Sequence, residues 1–187
     1  MDNKKRLFFI ALLPPQDIQD YVTGIKQHFA DTYNSNASLK SPPHITLQPP
    51  FEWEIYKLPA LEECLINFAS EHFSIPVILS GFAAFVPRVI YVDVIKTPEL
   101  LSLQKDLMDC VEASLGIVDP VSKKRPFAPH MTVGFKDLSK QNFKVAWSEF
   151  EHKELHFEFT ATYLTLLIHD NKRWQINSEF SLFKNDC

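Results

Sequence analysis

Pro43-His44-Ile45-Thr46-Leu47 is matched, residue type for residue type, by Pro129-His130-Met131-Thr132-Val133 further along the chain. In a β-strand, residues i and i+2 project from the same face and the residue between them projects from the other. Each run therefore places a histidine and a threonine on one face and apolar side chains on the opposite face. The two runs predict a pair of strands, each buried on one side and polar on the other.

The rest of the chain predicts further strands and helices around these two runs. The apolar run Arg6–Leu13, ended by Pro14-Pro15, is typical of a buried strand. Apolar residues at helical spacing predict four helices. Helices are expected over residues 16–29, 59–73, 97–115 and 138–150, and strands over residues 6–13, 44–51, 74–85, 89–95, 130–135, 153–161, 163–169 and 174–183.

The two halves of the chain, on either side of Val86, are alike. Each has one histidine-bearing strand preceded by a helix and a long loop. We therefore predict an α+β protein, a single domain over residues 1–187 with two similar lobes interleaved in one fold. Its sheets would face each other across a central cleft, with the helices on the outside.

Composition excludes several classes of protein. Lys and Arg number 19 against 23 Asp and Glu, a net charge of −4, so no basic excess favours binding along a nucleic-acid backbone. Cys64, Cys110 and Cys187 are an odd number without a Cys-x-x-Cys pair, which argues against a disulfide framework or structural zinc. The apolar run 7–13 is too short to span a bilayer and lacks a signal cleavage site. We expect a cytoplasmic monomer with no membrane attachment and no obligate protein partner.

The paired motifs suit displacement at phosphorus. Such a reaction has attacking and leaving oxygens roughly in line, so a base is needed on one side and an acid on the other. Histidine can fill either role near neutral pH, and threonine hydroxyls can donate hydrogen bonds to the phosphate oxygens. No metal or cofactor is required. With 7 histidines in the chain, one such match arises easily by chance, and the evidence is in the repetition with the same flanking residues.

With these motifs, the chain resembles the two-histidine (2H) phosphoesterases, which include bacterial 2′-5′ RNA ligases and cyclic phosphodiesterases. The resemblance extends to Arg6–Pro14, to Gly81-Phe82, Phe85 and Val89–Val92, and to Arg125-Pro126-Phe127. It implies a bilobal, pseudo-two-fold pair of antiparallel sheets and metal-free chemistry. The substrates would be RNA ends or nucleotides with a 2′,3′-cyclic phosphate or a 2′-5′ linkage. By the resemblance, His44 and His130 are the acid and base, and Thr46 and Thr132 bind the phosphate.

Three further residues are candidates for substrate binding. Arg125, beside Lys123 and Lys124, either grips a phosphate or belongs to a solvated charge run. Tyr91 and Phe51 either stack on a base or pack in the core. Four other residues are expected to lie outside the reaction. Lys40 is expected at the surface, His72 at a helix end, His169 in a turn, and Trp174 in the core or at its rim.

Two other functions compete with the enzymatic one. A non-catalytic module could have kept the fold in order to bind a nucleotide or RNA end. A metal-dependent hydrolase could use the histidines as ligands, although threonine partners in place of Asp or Glu make this a poor metal site. The sequence leaves open which histidine is the base, whether the reaction is hydrolysis or ligation, and whether the product is a 2′- or a 3′-phosphate.

Overall fold

The computed structural model describes residues 4–183, which form two four-stranded antiparallel sheets and four α-helices. The strands are β1 Lys5–Leu12, β2 Ile45–Glu54, β3 Ile75–Phe85, β4 Val89–Val94, β5 His130–Gly134, β6 His156–Ala161, β7 Tyr163–His169 and β8 Trp174–Ser181; the helices are α1 Gln16–Tyr33, α2 Leu58–Glu71, α3 Pro98–Leu115 and α4 Lys140–Phe150. The predicted α+β class is confirmed. Across this described part of the chain, no helix has the length and apolar character needed to cross a bilayer.

The two sheets have the same arrangement. Their strand orders are β2-β1-β7-β8 and β5-β4-β3-β6, so each sheet has its histidine strand at one edge. The boundary between the sheets does not fall at Val86, where the sequence divides into similar halves. β3 precedes Val86 but pairs with β4 and β6, whereas β7 and β8 come back to pair with β1 and with each other. One sheet therefore consists of the first two and last two strands, and the other is inserted between them.

Strand β1 is buried on both faces, which accounts for its continuous apolar sequence. Phe8 and Ile10 belong to the main core beneath the helices. Phe9 and Ala11 point to the opposite face, where they pack with Leu167 of β7 in a second apolar cluster. The first sheet thus has one face covered by helices and a second apolar face, on which the cleft is built.

Two helices pack against the sheet to which they are not directly connected. Helix α1 follows β1 in the chain but packs on β5, and α3 follows β4 but packs on β2 as well as on β3 of its own sheet. At the first contact the Phe29 ring lies directly over the backbone of Gly134. At the second, the Gln104 side-chain amide donates a hydrogen bond to the Leu47 carbonyl oxygen at 3.3 Å. Helices α1 and α3, each of which contacts the sheet that does not contain its flanking strands, hold the edge strands β2 and β5 side by side. We call them the exchanged helices.

Helix α1 is longer than the sequence predicts. The Asn- and Ser-rich residues 31–41 are expected to form a loop, but the helix continues to Tyr33, which is buried like Phe29 one turn earlier. Asn34 ends it in the left-handed conformation, with φ 55°. The apolar face, with spacing i and i+4, outweighs the local preference of the polar residues for a loop.

Two of the three cysteines lie close together between helices. Cys64 and Cys110 are free thiols on α2 and α3, with their sulfur atoms 3.8 Å apart. Cys187 lies outside the described residues.

Two glycine substitutions test the packing of α1 on β5. A Cβ at residue 134 would lie 2.7 Å from two Phe29 ring carbons, so Gly134→Ala should lower the free energy of unfolding by about 1–3 kcal/mol. Gly24, on the same helix α1, has nothing within 4 Å of the position that a Cβ would take. Gly24→Ala should therefore raise the free energy of unfolding by about 0.5–1 kcal/mol. Urea unfolding measures both, and equal effects would show that Phe29 does not constrain Gly134.

Candidate active site

The two histidine rings are held in the same way. His44 directly precedes β2 and His130 begins β5. The Nδ1 atom of each lies 2.7 Å from a backbone oxygen two residues earlier, that of Pro42 for His44 and that of Ala128 for His130. A carbonyl oxygen can only accept, so Nδ1 carries the proton and Nε2 of the neutral ring is left as an acceptor. Both rings have the tautomer that a general base needs at Nε2.

The proline before each histidine explains this geometry. Pro43 and Pro129 are buried, and a proline restricts the residue before it to an extended backbone. That preceding residue is the one whose carbonyl oxygen accepts from the histidine ring. The proline of the motif therefore helps to fix the carbonyl that orients the imidazole.

One cavity of about 390 Å³ brings the four residues of the two motifs together, since His44, Thr46, His130 and Thr132 all line it. The alternation predicted for the strands holds on both sides: Ile45, Leu47, Met131 and Val133 are buried in the core behind them. The remaining wall of the cavity is partly aromatic and partly polar, with Phe9, Phe135, His169 and Trp174 on the one hand and Ser38, Lys40 and Ser41 on the other.

A second cavity of about 280 Å³ adjoins the first, and Thr46 and His130 line both. Arg125 lines this second cavity together with Ser122 and Gln104. Its side chain is exposed, and the structure thus places it beside the histidine site.

Tyr91 and Phe51 have other surroundings. Tyr91 is 9% exposed and its ring centroid lies 5.2 Å from that of His130, with the Phe85 ring 5.0 Å from the same imidazole. Tyr91 therefore packs beside His130, and it is not among the residues that line either cavity. The Phe51 ring is stacked on Phe8 of the core, 6.3 Å between centroids, and does not line the cavities either. Their contact with a base stays a prediction.

Four aromatic residues of the cavity, Phe9, Phe135, His169 and Trp174, were not identified from the sequence. The Phe9 ring lies 4.7 Å from His44 and 4.6 Å from Trp174, and Trp174 lies 4.9 Å from His169. The apolar run around Phe9 predicts only a core position for it. His169 and Trp174 face each other across β7 and β8, and only the register of those strands with β1 reveals that they reach the cavity. Lys40, expected at the surface, is exposed and also lines the cavity.

Burial disfavours the charged form of both imidazoles. Burial lowers the pKa of His44 to about 4; the Pro42 carbonyl opposes this shift, and the charges of Lys26 and His130 add to it. Burial also lowers the pKa of His130, against the effect of its bond to the Ala128 carbonyl. A phosphate anion in the cavity would raise both values, because an opposite charge nearby favours the imidazolium.

Comparisons with known proteins agree with this fold. Residues 14–173 match the 2′-5′ RNA ligase superfamily. A curated protein of Geobacillus sp. strain WCH70, named "Putative phosphoesterase", is 29% identical over 174 residues, which are 91% of this chain and 93% of that protein. A protein of Bacillus mycoides strain KBAB4 with the same description is 28% identical over 180 residues, 95% of this chain and 97% of its own.

Solved structures show the same fold at lower identity. The protein TT0787 of Thermus thermophilus has a TM-score of 0.69 at 17% identity, covering 94% of this chain and 97% of its own. Escherichia coli LigT complexed with 3′-AMP has a TM-score of 0.68 at 17% identity, covering 96% and 99%. LigT has also been solved with phosphate, ATP and NADP+.

The family match spans most of the chain, from Pro14 in the loop after β1 to Arg173 just before β8, and includes both histidine motifs. The chain belongs to the 2′-5′ RNA ligase superfamily, the two-histidine phosphoesterases that its motifs resemble.

Proposed function

We propose that this protein is a metal-independent phosphoesterase acting on a 2′,3′-cyclic phosphate or a 2′-5′ phosphodiester of RNA ends or nucleotides. His44 and His130 are its general acid and base, and Thr46 and Thr132 bind the phosphate oxygens. The observation that carries the proposal is the shared cavity, lined by both histidines and both threonines, with each imidazole held through Nδ1.

The chemistry follows from that arrangement. In hydrolysis of a cyclic phosphate, Nε2 of the neutral imidazole accepts a proton from water, and the water oxygen bonds to phosphorus. The bond from phosphorus to one ribose oxygen breaks, and that oxygen takes a proton from Nε2 of the imidazolium. The two threonine hydroxyls donate to the non-bridging oxygens, whose charge increases in the transition state. In the ligation direction the two histidines exchange roles.

The two cavities suggest how a nucleotide would lie. A phosphate beside Thr46 and His130 has access to both cavities, since these two residues line each of them. Phe9 and Trp174 offer aromatic surface on which an unpaired base can stack. Arg125 suits a second phosphate or the continuing RNA strand, because a guanidinium binds phosphate oxygens in pairs. The nucleotide complexes of LigT, which shares the fold, support this use of the cleft.

The structure favours an enzyme over a module that only binds. Two imidazoles of one tautomer at one cavity are needed for proton transfer on both sides of phosphorus, whereas binding alone would not require them. No step of the proposal uses a metal or cofactor. We also propose, as the sequence suggested, a monomeric cytoplasmic enzyme.

Removing either histidine tests the catalytic roles. His44→Ala and His130→Ala should each lower kcat for 2′,3′-cyclic nucleotides by about 10²–10⁴-fold, because each removes one proton-transfer group. His152, whose side chain is 90% exposed, provides the control, and His152→Ala should keep full activity. EDTA should have no effect on the unmodified enzyme. Retention of turnover by His44→Ala on cyclic nucleotides and on cyclic-phosphate RNA ends would refute the mechanism, and tight nucleotide binding without turnover would favour the binding module.

The pH dependence of kcat/KM tests the histidine environment. One imidazole must be neutral and the other charged, and both have a pKa below the ordinary 6.5, with that of His44 at about 4. The imidazolium is therefore lost before pH 6.5 is reached, and the bell-shaped profile of kcat/KM should have its maximum on the acidic side of that value. The kcat profile should lie at higher pH, because the bound phosphate raises both pKa values. A kcat/KM maximum above pH 7 would contradict the depressed values.

Trp174→Ala tests the placement of the base. Loss of one stacking contact costs about 1–3 kcal/mol, so KM for a 2′,3′-cyclic nucleotide should rise by roughly 5- to 150-fold with little change in kcat. Ribose 2′,3′-cyclic phosphate, which has no base, is the matched substrate, and its kcat/KM should be unchanged. An equal loss for both substrates would mean that Trp174 supports the cavity without contacting the base.

A further inference from the structure

Lys26 is a buried lysine on helix α1, behind the cavity. It is 2% exposed, and its ammonium donates hydrogen bonds to the carbonyl oxygens of Ser38 and Ser41, both at 3.0 Å. Within residues 4–183 no carboxylate lies at ion-pair distance from it. A buried charge without a counter-charge is costly, and the two carbonyl oxygens are the polar partners that the structure gives this ammonium.

The two carbonyls bonded by Lys26 belong to the segment that leads into the first histidine. Ser38 and Ser41 both line the cavity. Pro42 follows Ser41 and supplies the carbonyl that accepts from His44 Nδ1. The Ser38 hydroxyl donates in turn to the Val133 carbonyl of β5, at 2.8 Å. Lys26 thus fixes the Ser38–Ser41 backbone. This segment is bonded to β5 through Ser38 and leads to the Pro42 carbonyl that orients His44.

The second histidine has no equivalent support within the described chain. Among residues 4–183, no lysine or arginine side chain donates to a carbonyl of residues 122–128, the segment before His130. Apart from the Ala128 oxygen that bonds His130 itself, no carbonyl of that segment accepts from a described side chain. The pseudo-two-fold relation between the two motifs is therefore broken by one buried cation.

Two carboxylates that contact helix α1 or the segment after it have other partners than Lys26. Asp137, in the loop after β5, accepts from the Ser35 hydroxyl and from the backbone N–H groups of Asn36 and Ala37. Glu149 of α4 is bonded by Tyr33 and His28. Neither carboxylate pairs with Lys26.

His44 is the group on which this charge acts. The titratable groups that line its cavity are His130, Lys40 and His169, and Lys26 lies behind its wall. Burial is the largest cause of the low pKa of His44, and the Lys26 and His130 charges lower it further. Burial lowers the pKa of Lys26 itself to about 7, so a phosphate anion in the cavity would stabilise its charged form.

We propose that Lys26 is a positioning residue that distinguishes the two histidines: it holds the Ser38–Ser41 backbone behind His44 and disfavours a second positive charge there, a role that has no counterpart at His130 among the described residues. The catalytic part of this inference rests on the proposed function. The difference between the two histidines does not, and it can be measured without turnover.

Substitution of Lys26 gives the kinetic test. Lys26→Met keeps an unbranched side chain and removes the charge and both hydrogen bonds. We expect kcat to fall on the order of 10- to 100-fold, as for a misplaced catalytic group, and the acidic limb of the pH–kcat/KM profile to move to higher pH. Lys26→Arg retains the charge and should keep that limb where it is in the unmodified enzyme. Lys105, 73% exposed and paired with Asp109, supplies the control Lys105→Met, which should change neither quantity.

A folded Lys26→Met enzyme with unchanged kcat and an unchanged acidic limb would overturn the inference. So would a loss of kcat that leaves the limb in place, because a purely structural role predicts that result.

A titration of the unmodified protein decides the matter even if Lys26→Met does not fold. Ring ¹⁵N NMR, assigned with His44→Gln and His130→Gln, should show His44 protonating at lower pH than His130. Inorganic phosphate should shift both titrations upward. A His44 that titrates together with His130, or above it, would refute the role of Lys26, whereas inactivity on cyclic phosphates with the expected titration would refute only the proposed substrate.

Discussion

The geometry of the candidate site depends on a hydrogen bond from each imidazole to the carbonyl oxygen two residues before it. That bond sets the tautomer and leaves Nε2 as an acceptor, and the proline between the two residues restricts the backbone that presents the oxygen. The threonine follows on the same face because of strand alternation. Each motif is therefore a complete local unit, and the fold has only to bring two such units together.

The exchanged helices accomplish this. α1 and α3 each connect strands of one lobe and pack on the histidine strand of the other or beside it. The Phe29 ring over Gly134 leaves no room for a side chain at the residue that directly follows the second motif. Contact between the lobes therefore requires a glycine at position 134. The same helix α1 carries Lys26 to the back of the first motif.

The sequence predicted what depends on local pattern. The helices and strands, and the faces on which His44 and His130 lie, follow from periodicities of 3.6 and 2 and from the flanking prolines. Residues set by distant register could not be predicted: Trp174 reaches the cavity only because β8 pairs with β7 and β7 with β1. Lys26 reads as an ordinary surface lysine of an amphipathic helix until the loop that covers it is placed. Phe51 and Tyr91 show the converse, since an aromatic residue near a motif packs readily beside or beneath it.

The order of strands in the first sheet also has a consequence for synthesis on the ribosome. β3 to β6 are consecutive in the chain and can pair as soon as residue 161 has emerged, whereas β1 must wait for β7, made more than a hundred residues later. Until then only β2 pairs with β1, its other edge is open, and Phe9 and Ala11 lack their contact with Leu167, which makes the nascent chain prone to association. The segment β7–β8, made after the second sheet, closes the first sheet and brings His169 and Trp174 to the cavity that holds His44 and His130.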